Sequence, residues 1–291
     1  MSARRDPVQD GRAQFTRLER NVMQISRPNA RFQQWEALRR NRNKRQRAGE
    51  FLVQGVRPIS VAIERGWPIR AVLYTADRSL SQWAVRVLER SGGERVAVAP
   101  ELLRQLSDKA QHAPELVAVV AMPDDQLSRI PVESSFLGMV FDRPSMPGNI
   151  GTIVRSLDAF GGSGLIVTGH GADPYDPKSV RASTGSVFAI PIVRSPSPQP
   201  VLAWARAQRA AGISLTVIGT DENGADDIAD LDLTGPTLLV IGNETTGLSA
   251  GWREACDVMA RIPIGGAASS LNAASAATVT LYEAARQRGR P

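Results

Sequence analysis

Ile262-Pro263-Ile264-Gly265-Gly266-Ala267-Ala268-Ser269-Ser270-Leu271-Asn272, near the C-terminus, carries an apolar strand end through a run of small side chains into a helix. Small residues let a backbone approach a bound molecule closely. Ser270 and Asn272 set a hydroxyl and an amide at the helix start, beside its unpaired N–H groups and the positive end of its dipole. The same residue types are ordinary helix caps, so taken alone the segment also fits a plain strand-to-helix turn.

Two earlier segments repeat the design. Leu238-Leu239-Val240-Ile241-Gly242-Asn243-Glu244-Thr245-Thr246-Gly247-Leu248-Ser249 is a buried-strand run broken by glycine, an acid, a second glycine and serine. Met139-Val140-Phe141-Asp142 leads through Arg143-Pro144-Ser145-Met146-Pro147-Gly148 into a helix that carries Asn149 near its start and Arg155 about two turns later. All three loops follow strand ends, where open parallel sheets bind ligands.

In this order, the three segments resemble the three motifs of the SpoU (TrmH-type) branch of the SPOUT RNA methyltransferases. The first motif corresponds to Asn149, Gly151, Arg155, Phe160 and Gly161, and the second to Gly242, Glu244, Gly247, Leu248 and Ser249. The third corresponds to Ile262, Pro263, Ser270, Leu271, Asn272, Leu281, Tyr282 and Glu283. One departure is visible: the position before Ser270 is often acidic in relatives and is Ser269 here.

The resemblance implies an α/β protein whose C-terminal SPOUT domain has a parallel sheet and a deep trefoil knot, preceded by a small α/β ribosomal-protein-like RNA-binding domain. It implies S-adenosylmethionine as cofactor, held by Leu239, Ile241, Gly242, Asn243, Gly247, Ile262, Ile264, Ser270 and Leu271. Catalysis of methyl transfer to a ribose 2′-hydroxyl in structured rRNA or tRNA falls to Asn149, Arg155, Glu244, Ser270 and Asn272. Arginine is a poor base at its usual pKa above ~12, so phosphate clamping and alkoxide stabilisation are the minimum role of Arg155. A homodimer formed through the C-terminal domain is also implied, and an apolar stripe through Leu271, Ala274, Val279 and Tyr282 on the last helix agrees with it. A catalytically silent RNA-binding or ribosome-assembly factor that kept the fold is the alternative; the intact motif residues favour the enzyme.

Composition agrees with an RNA partner. The 291-residue chain carries a formal charge of +6, unevenly distributed. Met1 to Glu50 holds 13 basic and 5 acidic residues, near +8, which leaves the remainder near −2. Residues 1–49 therefore read as a basic arm. Its run Arg39-Arg40-Asn41-Arg42-Asn43-Lys44-Arg45-Gln46-Arg47 follows a short helix with Phe32, Trp35 and Leu38 on one face. Arg42, Lys44, Arg45 and Arg47 are the phosphate contacts expected there, since guanidinium forks match phosphate oxygens. Arg57 and Arg181 join them by resemblance to family segments that face RNA.

After the arm, strand and helix signals alternate over residues 50–122, an RNA substrate-binding domain by the same resemblance, followed by a proline-interrupted linker over 123–134. From 135 to 291 continuous apolar strands alternate with helices, as in a parallel sheet covered on both faces. Gly161-Gly162-Ser163-Gly164 lies after a helix and before a strand, the wrong order for a dinucleotide fingerprint. One cysteine, Cys256, excludes an internal disulfide, and His112 and His170 lack metal-ligand spacing, so no metal is expected. With no apolar run of membrane-spanning length and a polar, Arg-rich N-terminus, a cytoplasmic protein is expected.

Overall fold

The computed structural model describes residues 22–107 and 113–289; His112 and the first part of the basic arm lie outside them. The chain divides into two compact units whose boundaries fall at Val56/Arg57, Trp67/Pro68 and Ala121/Met122. Among the described residues no helix is long and apolar enough to cross a membrane.

The first unit is built on a five-stranded sheet of order β1-β4-β3-β5-β2. Its strands are β1 (Met23–Ile25), β2 (Glu50–Gln54), β3 (Ile69–Thr75), β4 (Glu94–Val98) and β5 (Leu116–Ala121). Its helices are α1 (Ala30–Arg40) and α2 (Arg42–Ala48), then, beyond α3 (Val56–Glu64), which straddles the first boundary, α4 (Gln82–Arg90) and α5 (Pro100–Leu106). Phe32, Trp35 and Leu38, spaced three apart on α1, are buried in a core with Ile25, Leu73, Val96 and Leu103.

Residues 22–49 are thus part of the first unit, so the described part of the basic arm is not a segment separate from the domain that follows it. Met23–Ile25 pairs in parallel with Val96–Val98, and two helices follow. The single residue Asn41 closes α1 and opens α2, its side chain accepting from the Lys44 amide at 3.1 Å, while Gly49 (φ 64°) ends α2 in the left-handed region.

The turn between these helices corrects the reading of Arg45. The residue is 2% exposed, and Nη1 donates to the carbonyls of Leu38 (2.8 Å) and Arg39 (3.4 Å). Those carbonyls belong to the last turn of α1, which lacks intrahelical donors for them. Arg45 stabilises the α1–α2 corner and is not presented to a phosphate. Lys44 and Arg47 are exposed, and Arg42 is half-buried.

The second unit holds a seven-stranded, all-parallel sheet of order β10-β12-β9-β11-β6-β7-β8. Its strands are β6 (Leu137–Asp142), β7 (Gly164–Thr168), β8 (Ile192–Ser195), β9 (Thr216–Thr220), β10 (Asp226–Asp227), β11 (Thr237–Ile241) and β12 (Val258–Arg261). Every residue of β6, β7 and β11 is buried, as a sheet covered on both faces requires. The covering helices include α6 (Pro147–Ala159), α7 (Pro177–Ala182), α8 (Pro198–Ala210), the short α9 (Ala250–Arg253) and α10 (Ala273–Gln287).

Strand order reverses between β6 and β11: β7 and β8 follow on one side, β9 and β12 on the other. The loops after β6 and β11 therefore diverge from a topological switch point, where such sheets open a crevice. Close packing fixes α6 there. A Cβ on Gly151 would stand 2.1 Å from the Ser179 carbonyl oxygen of α7, so only glycine fits. At its far end α10 is pinned by Arg288, which donates to the carbonyls of Leu233, Ser135 and Gly235 at 2.7, 2.7 and 2.5 Å.

Candidate active site

Strand β6 ends in Asp142, whose carboxylate is 1% exposed. It accepts from Thr168 Oγ1 (2.9 Å), the Ser249 amide (2.8 Å) and Arg143 Nε (3.1 Å). Trp252, fully buried on α9, donates its indole N–H to the same threonine oxygen at 3.2 Å. One buried carboxylate thus ties the ends of β6 and β7 to the start of α9, and satisfied bonds of this kind hold a loop base rigid.

Above it lies Glu244. Helix α6 begins without a side-chain cap of its own, and the missing acceptor comes from the loop after β11. The Glu244 carboxylate accepts the amides of Ser145 (2.9 Å) and Met146 (3.2 Å), the Ser145 hydroxyl (2.8 Å) and Asn149 Nδ2 (2.9 Å). An anion beside the N-terminal end of a helix also meets the positive end of its dipole. Burial works against the charge on Glu244, but the Ser145 amide, a backbone amide of its own segment, Asn149 and the Ser145 hydroxyl outweigh it. Its carboxyl is held below the ordinary carboxylate range.

Asn149 passes the connection on. Its Oδ1 accepts from Asn272 Nδ2 at 3.4 Å, and Asn272 caps α10 by accepting the Ala274 amide at 2.9 Å. Glu244, Asn149 and Asn272, from three segments far apart in sequence, form one hydrogen-bonded chain. Ser270 is exposed nearby in the loop that leads into α10. Arg155 lies six residues beyond Asn149 on α6, exposed, with no hydrogen bond or ion pair among the described residues. It is a free cation on the helix that Glu244 anchors.

A cleft of about 330 Å³ opens beside this chain, within the ~300–1,000 Å³ typical of small-molecule sites. Ile241, Gly242, Asn243, Gly247, Ile262, Ile264, Ser270 and Leu271 line it, all of them expected from the sequence. Leu239 does not: it is fully buried in mid-strand, two residues short of the strand end. The lining also includes residues that motif reading missed, among them Thr220, Asp221, Asn223 and Arg253, with Arg253 Nη2 paired to Asp221 at 2.7 Å. Their signal in the sequence was faint, a Thr-Asp at one more strand end. The turn beside the cleft is tight: Asn243 and Gly247 exchange backbone bonds at 3.0 Å in both directions, and a Cβ on Gly242 would meet the Gly247 carbonyl carbon at 2.4 Å.

Other candidates stand apart. His170 is exposed in the loop after β7. Cys256 packs near Met259 and Gly219; burial first, then Asp257, pushes its thiol up to about 12, so it stays protonated and unreactive at neutral pH. Arg181 is exposed on α7, Arg57 is exposed on α3, and neither belongs to the cleft lining.

Comparison with known proteins finds relatives that cover both units. Residues 29–118 match the SpoU L30e-like domain and residues 137–282 the SpoU rRNA Methylase family. The chain is 61% identical, over 91% of its length and 92% of the relative's, to a 23S rRNA (uridine(2479)-2′-O)-methyltransferase of Streptomyces viridochromogenes. The crystal structure of the SpoU methyltransferase AviRb from that organism, in complex with AdoMet, superposes with a TM-score of 0.87 at 61% identity, covering 90% of this chain and 98% of that one. An AdoMet-bound rRNA methyltransferase from Sinorhizobium meliloti gives 0.80 at 31% identity, covering 91% and 98%.

All four groups bonded to Glu244 are donors, so Glu244→Gln brings an amide N–H against them; it should lower stability by about 1–3 kcal/mol in urea denaturation. Because the folded carboxyl titrates below its unfolded counterpart, its contribution is complete above the ordinary value of 4.5 and is lost as pH falls through the lower folded value. The gap between wild type and Glu244→Gln should therefore narrow on acidification. A gap that stayed constant down to about pH 3 would remove the carboxylate from this role.

Proposed function

The chain belongs to the SpoU rRNA methylase family, and from that premise we propose that it methylates the ribose 2′-hydroxyl of a uridine in 23S rRNA. It is an S-adenosylmethionine-dependent RNA 2′-O-ribose methyltransferase. The narrower target rests on 61% identity, across nearly the whole of both chains, to an enzyme of that specificity. The reading as a catalytically silent factor finds no support in that identity or in the site, where Asn149, Glu244 and Asn272 are joined in one chain. Work on ribosomal RNA also favours a cytoplasmic location.

The residues present fit the cofactor. Apolar Ile241, Ile262, Ile264 and Leu271 offer faces for a purine, and the glycine-bounded turn leaves backbone groups to read its edge. When bound, S-adenosylmethionine supplies an electrophilic methyl group on a sulfonium. The protein must then orient the attacking 2′-hydroxyl and stabilise the charge that develops as its proton leaves. Glu244 holds the head of α6 and orients Asn149, and Asn149 with Asn272 presents amide groups for the ribose. Arg155, with a guanidinium that has no partner among the described residues, is the electrostatic clamp for the phosphate and the developing alkoxide. Ser270, in the cleft wall, orients ribose or donor.

The first unit is proposed as the RNA-docking domain, with Lys44, Arg47 and the half-buried Arg42 as phosphate contacts. Arg57 and Arg181 add to the set in the second unit. A homodimer through α6 and α10 is proposed from the exposed apolar side chains there: Met146 is 57% exposed, Val279 39%, Leu271 39% and Tyr282 56%, a group in need of cover. Ala274 leaves that stripe, being buried inside the unit. The return of the chain from β12 to α10, which packs on α6 and β11, is read as the threaded part of a trefoil knot.

Arg155→Ala should reduce single-turnover methylation by ~10²–10³ while donor affinity stays within a few-fold, because loss of one preorganised charge acts on the transition state. Near wild-type rates at saturating donor and RNA would refute the role. Lys44→Ala with Arg47→Ala should flatten the log–log salt dependence of RNA binding by roughly 0.7–0.9 per lost phosphate contact; Arg45→Ala should instead lower the urea midpoint. An unchanged slope would move the RNA surface elsewhere. In light scattering at micromolar concentration the protein should run as a dimer, and Tyr282→Glu should shift it toward monomer; a wild-type monomer with full activity would overturn the dimer.

A further inference from the structure

Two non-glycine residues among those described hold a left-handed backbone, Arg143 at φ 50° and Thr184 at φ 51°. A long side chain is uncommon there, because its Cβ crowds the following carbonyl; glycine or asparagine is the usual occupant. Strain of this sort persists where the surroundings hold it for a purpose.

At Arg143 the side chain shows that purpose. Nε donates to the buried carboxylate of Asp142 at 3.1 Å, and Nη2 donates across to the carbonyl of Gly247 at 2.9 Å. The Arg143 carbonyl in turn accepts from Asn243 Nδ2 at 2.6 Å. Asn243 and Gly247 are the two ends of the turn that lines the cleft, so a single residue holds both. The neighbouring strand end makes room for it: Gly169 (φ +72°) has no side chain, and a Cβ there would stand 2.8 Å from Arg143 Cγ.

Nothing apolar could replace this hold. Thr245 and Thr246, at the tip of the turn, are exposed, and their amides are satisfied by Asn243 Oδ1 at 2.9 and 3.1 Å. The shape of residues 243–247 rests on hydrogen bonds, and the charged ones come from Arg143 and through Glu244. A turn that lacks packing stays in one shape only while such bonds restrict it.

We propose that Arg143 is a positioning residue, a latch that preorganises the 243–247 turn as a wall of the donor cleft and so sets the affinity for S-adenosylmethionine rather than the rate of methyl transfer. The proposal rests on the reading of that cleft as the donor site. Preorganisation of a binding loop acts by removing an ordering cost from the bound state, which appears in Kd and KM. The groups around the reacting hydroxyl keep their own bonds, through Glu244, Asn149 and Asn272.

The test uses Arg143→Gly, which suits the left-handed backbone and removes the latch, and Arg143→Lys, which keeps a cation beside Asp142 without the fork that reaches two acceptors. Calorimetry with S-adenosylmethionine should give Kd weakened about tenfold or more in both, the scale of one lost charge-assisted hydrogen bond. Donor KM should rise in parallel, with kcat at saturating donor and RNA within about threefold of wild type. Hydrogen exchange on the donor-free protein should quicken at the 243–247 amides and not in β6 or β11. Unchanged Kd and exchange in folded Arg143→Gly would overturn the latch, and so would full recovery by Arg143→Lys or a fall in kcat alone. If the wild type itself binds no donor, the site reading fails, and the exchange comparison still decides the latch.

Discussion

The arrangement depends on one carboxylate meeting one helix. Helix α6 enters the site with no cap of its own, and Glu244, nearly a hundred residues later in the chain, accepts the two amides that precede it together with Asn149 Nδ2. An acceptor-only group is suited to that position, since every neighbour donates. In turn, the helix end holds the glutamate charged, below the ordinary carboxylate range. Each partner stabilises the form of the other that the site requires. Without this contact the loops after β6 and β11 would still be joined through Arg143 and Asp142, but the head of α6 would lose its acceptor.

The sheet makes the meeting feasible. Placing β6 beside β11 puts the first and second motif loops at a switch point, and α10 brings the third back against α6. Tight glycines mark the closest approaches. Gly151 admits α7, and Gly242 admits the return of its own turn at Gly247. These positions are occupied by glycine because backbone stands where a Cβ would be, which gives two residues of the motif pattern a physical cause.

Below the site, Asp142 does similar work in a buried setting. It joins β6, β7 and α9 through Thr168, Ser249 and Trp252, and Arg143 extends its reach to the cleft wall. A polar network of this sort fixes one arrangement because each unmet member would leave a buried group unpaired. Asp142 and its partners thereby give the loops after β6 and β11 a common, bonded base.

Periodicity by itself determined the parallel-sheet unit, the buried face of Phe32, Trp35 and Leu38 and the three loops at strand ends, while most of the cleft lining from Ile241 to Leu271 followed from the resemblance of those loops to the family motifs. Those features are local, or they repeat a pattern that burial imposes residue by residue. Tertiary structure alone decided what each polar side chain faces. Arg45 sits in a run of cations that all read alike, yet it is the one that is fully buried, where the carbonyls ending α1 lacked donors. Leu239 belongs to the right strand but stops short of its end, Asp221 reaches the cleft from a segment with no motif around it, and Arg253 reaches it from just beyond the second motif. Arg143 reads as an ordinary loop arginine; its role needs the Gly247 carbonyl, 104 residues away, to come within 2.9 Å. Sequence records which groups can bond, whereas the choice of partner is made only when distant segments are brought to bonding distance.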